Sequence, residues 1–173
     1  GGRLTPTYMR IGGVSKDLPD GIEEKIKAFV QSFPEHMKEY ETLLTKNVIW
    51  LKRTKGVGFI SKEDAINWGG TGPTLRGSGV KYDVRKAFPY SSYDEFDFDI
   101  PIGSVGDVYD RYIVRLREME WSNVIVRQAL ERLPKGPVMT SDPKVALPPK
   151  ENVLKDIDAL IRQFKIVSEG FQP

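Results

Sequence analysis

Apolar residues recur at steps of three and four in three stretches of this chain, which is the spacing of one face of a helix. The pattern predicts a helix from Asp20 to about Lys46, a second from Asp107 to about Leu133 and a third from about Lys150 to Ser168. We expect these long helices to pack antiparallel. In the last helix, the side chains expected to point inward are Val153, Ile157, Leu160, Ile161, Phe164 and Val167.

The first of these helices carries both a start signal and an interruption. Asp20 is followed three positions later by Glu23, which is the pattern of a capping box. Pro34 lies inside the helix and lacks the backbone N–H that would bond four residues back. We therefore expect Pro34 to kink the helix or to split it in two.

Shorter elements lie between the first two long helices. The stretches from Val48 to Lys55 and from Lys62 to Trp68 are each followed by glycine, which predicts two short helices. The stretch from Gly69 to Tyr93 is rich in Gly, Ser and Pro, so we expect irregular structure there, with short helices near Thr74 and Val84.

One segment has the period of a strand. Acidic and apolar residues alternate from Glu95 to Ile100, which predicts a half-buried strand. Val57 to Ile60 is its candidate partner in a small hairpin.

A proline-rich segment follows the second long helix. Residues 134–149 contain five prolines, which excludes regular structure and predicts an extended connection. The length of 173 residues fits one domain. The predicted fold is mainly α: a single helical domain over residues 1–173, with antiparallel long helices forming a bundle, long irregular loops and room for one small β-hairpin.

The composition argues against most kinds of catalytic and binding site in this chain. The net charge of +2 lacks the dense basic footprint of a nucleic-acid binder, so we expect no nucleic-acid partner. Cysteine is absent and His36 is the single histidine, so we expect no cluster, thiolate or multi-histidine metal site held by this chain alone. The longest apolar run is Val48–Leu51, so we expect no transmembrane segment.

The remaining candidate sites have simpler explanations. His36 has no implied nucleophile partner and is interpreted as a surface or rim residue. The acidic run from Asp94 to Asp99 lacks the glycine and terminal Glu of a calcium loop, so a solvated face explains it better than a cation site. The pairs Gly56/Gly58 and Gly77/Gly79 lack the rest of a phosphate-binding motif and are interpreted as turns.

The second long helix also carries charges at helical spacing, which we interpret as a stripe facing solvent or another subunit. These residues are Asp110, Arg111, Arg115, Glu118, Glu120, Arg127 and Glu131. From the residues alone, the chain is a helical domain without a self-contained active site.

Ordered segments of the chain resemble the D subunit of the proton-pumping respiratory NADH:quinone oxidoreductase (complex I), a family related to nickel–iron hydrogenase large chains. The matching segments are residues 8–14, 17–19, 44–47, 69–79, 82–86, 89–90, 96–101, 106–112 and 164–172. They follow the family's order over essentially the whole chain. Because the first ten residues lack an initiator Met, we also expect an internal fragment of a longer subunit.

The resemblance implies a scaffold role in a multisubunit translocase. In the family, the D and B subunits enclose the quinone head-group, and a terminal [4Fe–4S] cluster held by the B subunit reduces it. The implied partners are the B subunit, other peripheral-arm subunits and quinone. The implied location is the cytoplasmic face of the plasma membrane, as a peripheral subunit. We expect the fragment itself to bind no cofactor and to be inactive alone.

Leu4 and Thr5 are the residues implied to line the quinone cavity or approach the cluster. Many family members carry His at the position of Thr5, hydrogen-bonded near the cluster. A threonine there implies a lower cluster potential with little pH dependence. The family's own quinone-contacting His and Tyr, and the Asp paired to that His, would precede residue 1. No catalytic or metal-binding residue is therefore assigned within this chain.

Two alternatives remain open from the sequence. One is a fragment of a related energy-converting, hydrogenase-like complex, whose nickel-bearing members need two CxxC motifs. The other is a stand-alone helical interaction module with no redox role. Flanking sequence would separate them, since an upstream quinone-contacting His favours the D subunit and CxxC pairs favour a hydrogenase.

Overall fold

The computed structural model of this chain describes residues 7–170. This part of the chain is mainly helical and includes one small antiparallel sheet of two strands. The elements in chain order are β1 (Met9–Arg10), β2 (Gly13–Val14), α1 (Ile22–Tyr40) with a π-helical continuation (Glu41–Thr45), α2 (Val48–Thr54), α3 (Lys62–Asn67), α4 (Gly72–Gly77), α5 (Val84–Ala87), a 3₁₀ turn (Tyr93–Glu95), α6 (Val108–Glu131), α7 (Lys150–Val153) and α8 (Ile157–Glu169).

The chain forms two compact units. Gly21–Leu133 makes the first, which we call the helical unit, and Gly1–Asp20 with Pro134–Pro173 makes the second, which we call the terminal unit. The organisation as a single domain with an extended connection over residues 134–149 stays a prediction. No helix within residues 7–170 combines the length and hydropathy needed to cross a bilayer.

Helix α6 is the centre of the helical unit. It begins where the sequence predicts, because the Asp107 carboxylate accepts the backbone N–H of Asp110 at 2.8 Å. Its two buried residues, Val114 and Leu116, point about 200° apart around the helix. Helix α6 contacts α1, α2 and α4, so neighbours cover it on more than one side.

Helix α1 differs from its prediction at its start and at Pro34. The N-cap is Gly21, whose φ of +72° suits glycine, and no side chain caps the helix, so the Asp20 capping box is wrong. The helix runs through Pro34 without a break, so the predicted split is also wrong. One reason is that Asn123 Nδ2 on α6 donates to the Val30 carbonyl at 3.1 Å, the oxygen that Pro34 leaves unbonded.

The shorter helices of this unit lie where the sequence predicts them. Helix α2 is capped by Asn47, whose side-chain oxygen accepts the N–H groups of Ile49 and Trp50 at 2.9 and 3.2 Å. Helix α3 is capped by Ser61 through the N–H of Asp64. Helices α4 and α5 are the short helices expected near Thr74 and Val84.

The prediction of a paired strand at Glu95–Ile100 is wrong, because these residues form no strand in the structure. The alternation of burial is right, since Phe98 and Ile100 are buried while Asp97 and Asp99 are exposed. However, the backbone of Asp97 pairs with a side chain: its N–H donates to Gln128 Oε1 at 2.9 Å, and its carbonyl accepts Gln128 Nε2 at 2.7 Å. The amide of Gln128 thus takes the place of a neighbouring strand.

The candidate partner of that strand pairs elsewhere. Ile60 N donates to Gly106 O at 2.9 Å, and Val108 N donates to Val57 O at 3.0 Å. The backbone of residues 57–60 is therefore joined to the segment that leads into α6.

The observed hairpin lies in the terminal unit. Strands β1 and β2 pair with Met9 opposite Val14 and Arg10 opposite Gly13. The backbone of residues 138–140 bonds to the hairpin through Val14 N to Val138 O and Thr140 N to Gly12 O, both 2.8 Å. Residues 134–149 thus contain turns and a bridge to the hairpin, without a helix.

The sequence predicts one continuous last helix, but the structure has two, α7 and α8, so the predicted continuity is wrong. Helix α7 ends at Val153, and Asp156 caps α8, because its side chain accepts the N–H of Asp158 at 3.0 Å. The predicted inward face is also wrong, since Ala159 and Ile166 are buried on another side of α8. The expected inward residues that are exposed are Ile157, Leu160, Ile161, Phe164 and Val167.

Candidate functional site

The two residues proposed from the family resemblance, Leu4 and Thr5, lie outside the described residues. Their assignment stays a prediction. The chain beyond them enters the β1–β2 hairpin, whose turn packs tightly on residues 138–140. A Cβ on Gly13, the first residue of β2, would overlap the backbone carbonyl oxygen of Val138, so only glycine fits this close approach.

The most chemically unusual group in the described chain is a buried cluster of two arginines and two carboxylates in the helical unit. It consists of Arg76, Asp83, Arg85 and Glu118, and we call it the Arg76 cluster. Arg76 and Asp83 are the most deeply buried members, at 7% and 5% exposure. Burying charges is costly unless they are paired, so their contacts decide whether the arrangement is stable.

Arg76 binds three groups from inside the fold. Its Nε donates to Glu118 Oε1 at 2.5 Å, and its Nη1 donates to the Tyr82 carbonyl at 3.0 Å. The same Nη1 lies 3.7 Å from Asp83 Oδ2, which adds electrostatic attraction. Arg76 therefore connects α4, the segment before α5, and α6.

Asp83 and Arg85 form the second pair of the cluster. The Arg85 guanidinium donates to both oxygens of Asp83, at 3.0 Å from Nε and 2.7 Å from Nη2. The hydrogen bond from Arg85 holds the pKa of Asp83 below its ordinary value, and the same bond raises the pKa of Arg85. Asp83 also caps α5 by accepting the Arg85 N–H at 3.0 Å.

Aromatic rings lie against Arg85. Its guanidinium carbon is 4.8 Å from the Phe98 ring centroid and 5.6 Å from that of Tyr93. Phe98 is almost fully buried, at 1% exposure. This cover reduces access of water, so the charge pairs interact more strongly than they would at the surface.

Close backbone approach lets α4 carry Arg76 to α6. A Cβ on Gly77 would lie 2.7 Å from Arg111 Cγ on α6, so a larger residue there would push the helices apart. The Gly77/Gly79 pair is thus the end of α4 and its turn, as the sequence predicts.

The predicted charged stripe on α6 is wrong for Asp110, Arg111 and Glu118, which bond inside the fold. Burial acts to raise the pKa of Asp110, but N–H donors from residues 104–106 outweigh it and lower the pKa. These donors lie 2.5–3.2 Å from Oδ2. Arg111 donates to the carbonyls of Gly58 and Gly106 at 2.8 and 3.1 Å. Because neighbours cover α6 on several sides, its charged residues are not confined to one solvent-facing stripe.

The other candidates lie where simple explanations place them. His36 is half-exposed, with Nδ1 3.6 Å from Glu39 Oε2 on the same helix. In the acidic run, Asp99 is exposed and pairs with Lys81 at 3.4 Å. Within residues 7–170 no group of three His, Cys, Asp or Glu side chains is arranged to hold a metal ion.

The patterns in the sequence do not reveal the Arg76 cluster. Helical spacing places Glu118 on a solvent-facing stripe, and Arg76 and Asp83 stand out only as parts of the family-like segments. The available signal is that Arg76 is the one charged residue in the sequence from Gly69 to Val80, and Asp83 the one acid from Ala65 to Tyr93.

The comparisons with known proteins agree on one family. Residues 1–173 match the family model described as respiratory-chain NADH dehydrogenase, 49 Kd subunit. The chain belongs to this family. It is 53% identical over 171 residues to the NADH-quinone oxidoreductase D subunit of Geotalea uraniireducens, a match that covers 99% of this chain and 44% of that relative.

Other members of the 49 Kd subunit family show the same relation. The D subunit of Magnetococcus marinus is 47% identical over 171 residues, covering 99% of this chain and 43% of its own. The C/D 2 subunit of Aquifex aeolicus is 51% identical over 174 residues, a match that covers 98% of this chain and 30% of that relative. The chain thus spans less than half the length of these relatives.

Membership of the 49 Kd subunit family gives the Arg76 cluster its context. The cluster contains no nucleophile and no free carboxylate, because each acid accepts from an arginine. Its members hold three helices in place. The contacts of the cluster are therefore those of a structural ion-pair network.

Proposed function

We propose that this chain is the scaffold part of the quinone-reducing D subunit of a proton-pumping NADH:quinone oxidoreductase. The observation that carries the proposal is the match to the family over residues 1–173, with about half of the residues identical to proteins named as this subunit. The chain contributes to an enzyme in this proposal without holding its reacting groups.

In the proposed complex, the B subunit and this subunit enclose the quinone head-group and the terminal [4Fe–4S] cluster. Leu4 and Thr5 lie at the edge of that enclosure. The cluster belongs to the B subunit, which supplies its cysteines, and this chain has none. A cluster held by the B subunit would supply single electrons to the quinone, and this chain would place Leu4 and Thr5 beside it.

We also propose the antiparallel arrangement of α1 and α6 as the frame of this scaffold. Two contacts support it: Val30 near the middle of α1 bonds to Asn123, and Thr45 after α1 lies 2.9 Å from the Tyr112 hydroxyl. Later residues on the first helix thus meet earlier residues on the second. The Arg76 cluster ties α4 to the other side of this frame.

The proposed location is the cytoplasmic face of the plasma membrane, as a peripheral-arm subunit. The proposed partners are the B subunit and other peripheral-arm subunits. Purified alone, the chain is expected to be colourless and to show no turnover with NADH and a soluble quinone above a buffer blank. A stoichiometric cofactor absorbance would contradict the scaffold assignment.

Purification from the native membrane tests the proposal. An affinity tag on the chromosomal gene for this chain should recover a detergent-solubilised complex that oxidises NADH with quinone and shows the paramagnetic signal of a reduced [4Fe–4S] cluster. The same tag on an unrelated peripheral protein is the control. Recovery of a complex that evolves or consumes hydrogen, or of the chain without partners, would overturn it.

A further inference from the structure

Helix α2 is held in one orientation by its inner face. Trp50 packs edge-on against Tyr112 of α6, with ring centroids 5.2 Å apart. Thr54 is buried, and its hydroxyl donates to the Trp50 carbonyl at 2.7 Å. The Trp50–Tyr112 contact and the burial of Thr54 place this side of α2 against the helical unit, so the opposite side faces outward.

The outer side of α2 combines aliphatic and cationic side chains. Val48 and Lys52 form one column at a spacing of four residues, and Ile49 and Arg53 form the next. Val48 and Ile49 are 64% and 69% exposed, and both cations are exposed. We call these four residues the α2 outer face.

The charge around this face is one-sided. From Thr42 to Lys62 the sequence has five cations and no acid, although the whole chain has a net charge of only +2. Within residues 7–170, neither Lys52 nor Arg53 takes part in an ion pair. The acid that precedes this stretch, Glu41, attracts Arg117 of α6.

We propose that the α2 outer face is a docking surface for a neighbouring subunit of the same complex, which meets it with an apolar centre and an acidic rim. This inference rests on the proposed function and names the chemistry of one partner. Two exposed aliphatic side chains beside two cations without an acid partner match the usual anatomy of a protein interface, where an apolar centre is bordered by complementary charge.

A lipid surface fits this face less well. Two aliphatic side chains on a two-turn helix bury little hydrocarbon, and stable membrane anchoring takes a larger apolar face or several basic residues acting together. Contact with lipid is therefore an outcome that the experiment must separate from contact with a protein.

Photo-crosslinking in the assembled complex tests the proposal directly. Ile49 is replaced by p-benzoylphenylalanine, the tagged complex is purified and irradiated, and crosslinked peptides are identified by mass spectrometry. The expected product joins Ile49→p-benzoylphenylalanine to another subunit, at a segment containing Asp or Glu. A crosslink to lipid only, to this subunit only, or none above the unirradiated sample would overturn the proposal.

Charge reversal provides the second arm. The double variant Lys52→Glu/Arg53→Glu should weaken association with the crosslinked subunit about tenfold, seen as release of that subunit at lower salt. The matched control Lys25→Glu/Lys38→Glu changes two exposed cations on α1 and should release it at the wild-type salt concentration. Equal release by both variants would contradict the proposal.

Two further variants test whether the charge-reversal result comes from lost charge pairing or from misfolding of α2. The neutral variant Lys52→Gln/Arg53→Gln should show an intermediate loss, which guards against misfolding of the reversed helix. Reversing the crosslinked acid of the partner to Lys should restore association of the Lys52→Glu/Arg53→Glu variant. If the purified complex reduces quinone with NADH and yields no crosslink to another subunit, this inference fails while the proposed function stands.

Discussion

The side-chain amide of Asn123 bonds the backbone carbonyl of Val30 at 3.1 Å, four residues before Pro34. In a helix this carbonyl would accept the N–H of residue 34, which a proline lacks. Helix α6 therefore supplies from a side chain the donor that α1 cannot supply from its backbone. This bond couples the integrity of α1 to its packing on α6.

Removing that donor should be costly only while the proline is present. We expect Asn123→Ala to reduce the free energy of unfolding by about 1–2 kcal/mol, because it leaves the Val30 carbonyl unpaired. In a Pro34→Ala background the loss should be clearly smaller, since the residue 34 N–H can then bond Val30. Urea unfolding followed by circular dichroism measures both, with the exposed Asn67→Ala as control. Equal losses in the two backgrounds would disprove the compensation.

A tight turn before the acidic segment should be open to stabilisation. Tyr93 N donates to Tyr90 O at 3.0 Å, and the two residues between them have φ values of +46° and +61°. Turns of this kind favour Asn-Gly, because most L side chains are strained at positive φ. The double change Ser91→Asn/Ser92→Gly should therefore raise the free energy of unfolding by about 1 kcal/mol. Ser92→Val should lower it, and the same unfolding curves compare the three proteins.

Replacing Glu118 alone should lower the free energy of unfolding more than replacing both Glu118 and Arg76. Glu118→Leu leaves Arg76 buried without its closest partner, which should cost about 3–5 kcal/mol of unfolding free energy. Adding Arg76→Met should recover part of that loss, because the double variant buries no unpaired charge from this pair. Denaturant midpoints of the single and double variants show whether the second substitution recovers stability. Additive losses would mean that the two side chains do not interact.

Two carboxyls should make stability depend on acid pH. The pKa values of Asp83 and Asp110 lie below the ordinary 3.8, so the folded chain binds fewer protons than the unfolded chain. Their stabilisation is fully present above that pH and is lost as the pH falls through the lower folded-state values. Asp83→Asn should flatten the fall in unfolding free energy below about pH 4. The exposed Asp94→Asn, which removes the same charge at the surface, is the matched control.

The proposed place of Thr5 predicts an altered cluster potential in the whole complex. A histidine can gain a proton when a nearby cluster gains an electron, whereas threonine offers only a neutral hydrogen bond. Thr5→His should therefore raise the potential by roughly 40–90 mV, equivalent to about 1–2 kcal/mol at 59 mV per tenfold. It should also add a pH slope between about pH 6 and 8. Redox titration by electron paramagnetic resonance tests both, and a wild-type slope that Thr5→His leaves unchanged would refute the assignment.

Local signals in the sequence determined most helix positions. Asp107, Asn47 and Ser61 are capping residues whose effect depends on the next three residues, so their helices begin as predicted. The family, too, was readable from ordered segments along the chain. The short helices α4 and α5 lie near the predicted positions, with Pro73 in the first turn of α4 and Asp83 at the N-cap of α5.

Tertiary contacts decided the remaining features. Whether Pro34 splits α1 depends on Asn123, which is 89 positions away, and whether residues 95–100 pair as a strand depends on Gln128. Neither partner is visible in local periodicity. Glu118 has the spacing of a solvent-facing residue and lies instead beside Arg76, because α4 covers that side of α6.

The division follows from the range of the interactions. Caps, turns and amphipathic periods act over a few residues, so the order of amino acids alone specifies them. A buried charge or an unbonded carbonyl is stabilised by whichever group the folded chain brings within about 3 Å. For this protein, the sequence determined most helix positions and the family, and the packing around α6 determined which polar residues became structural.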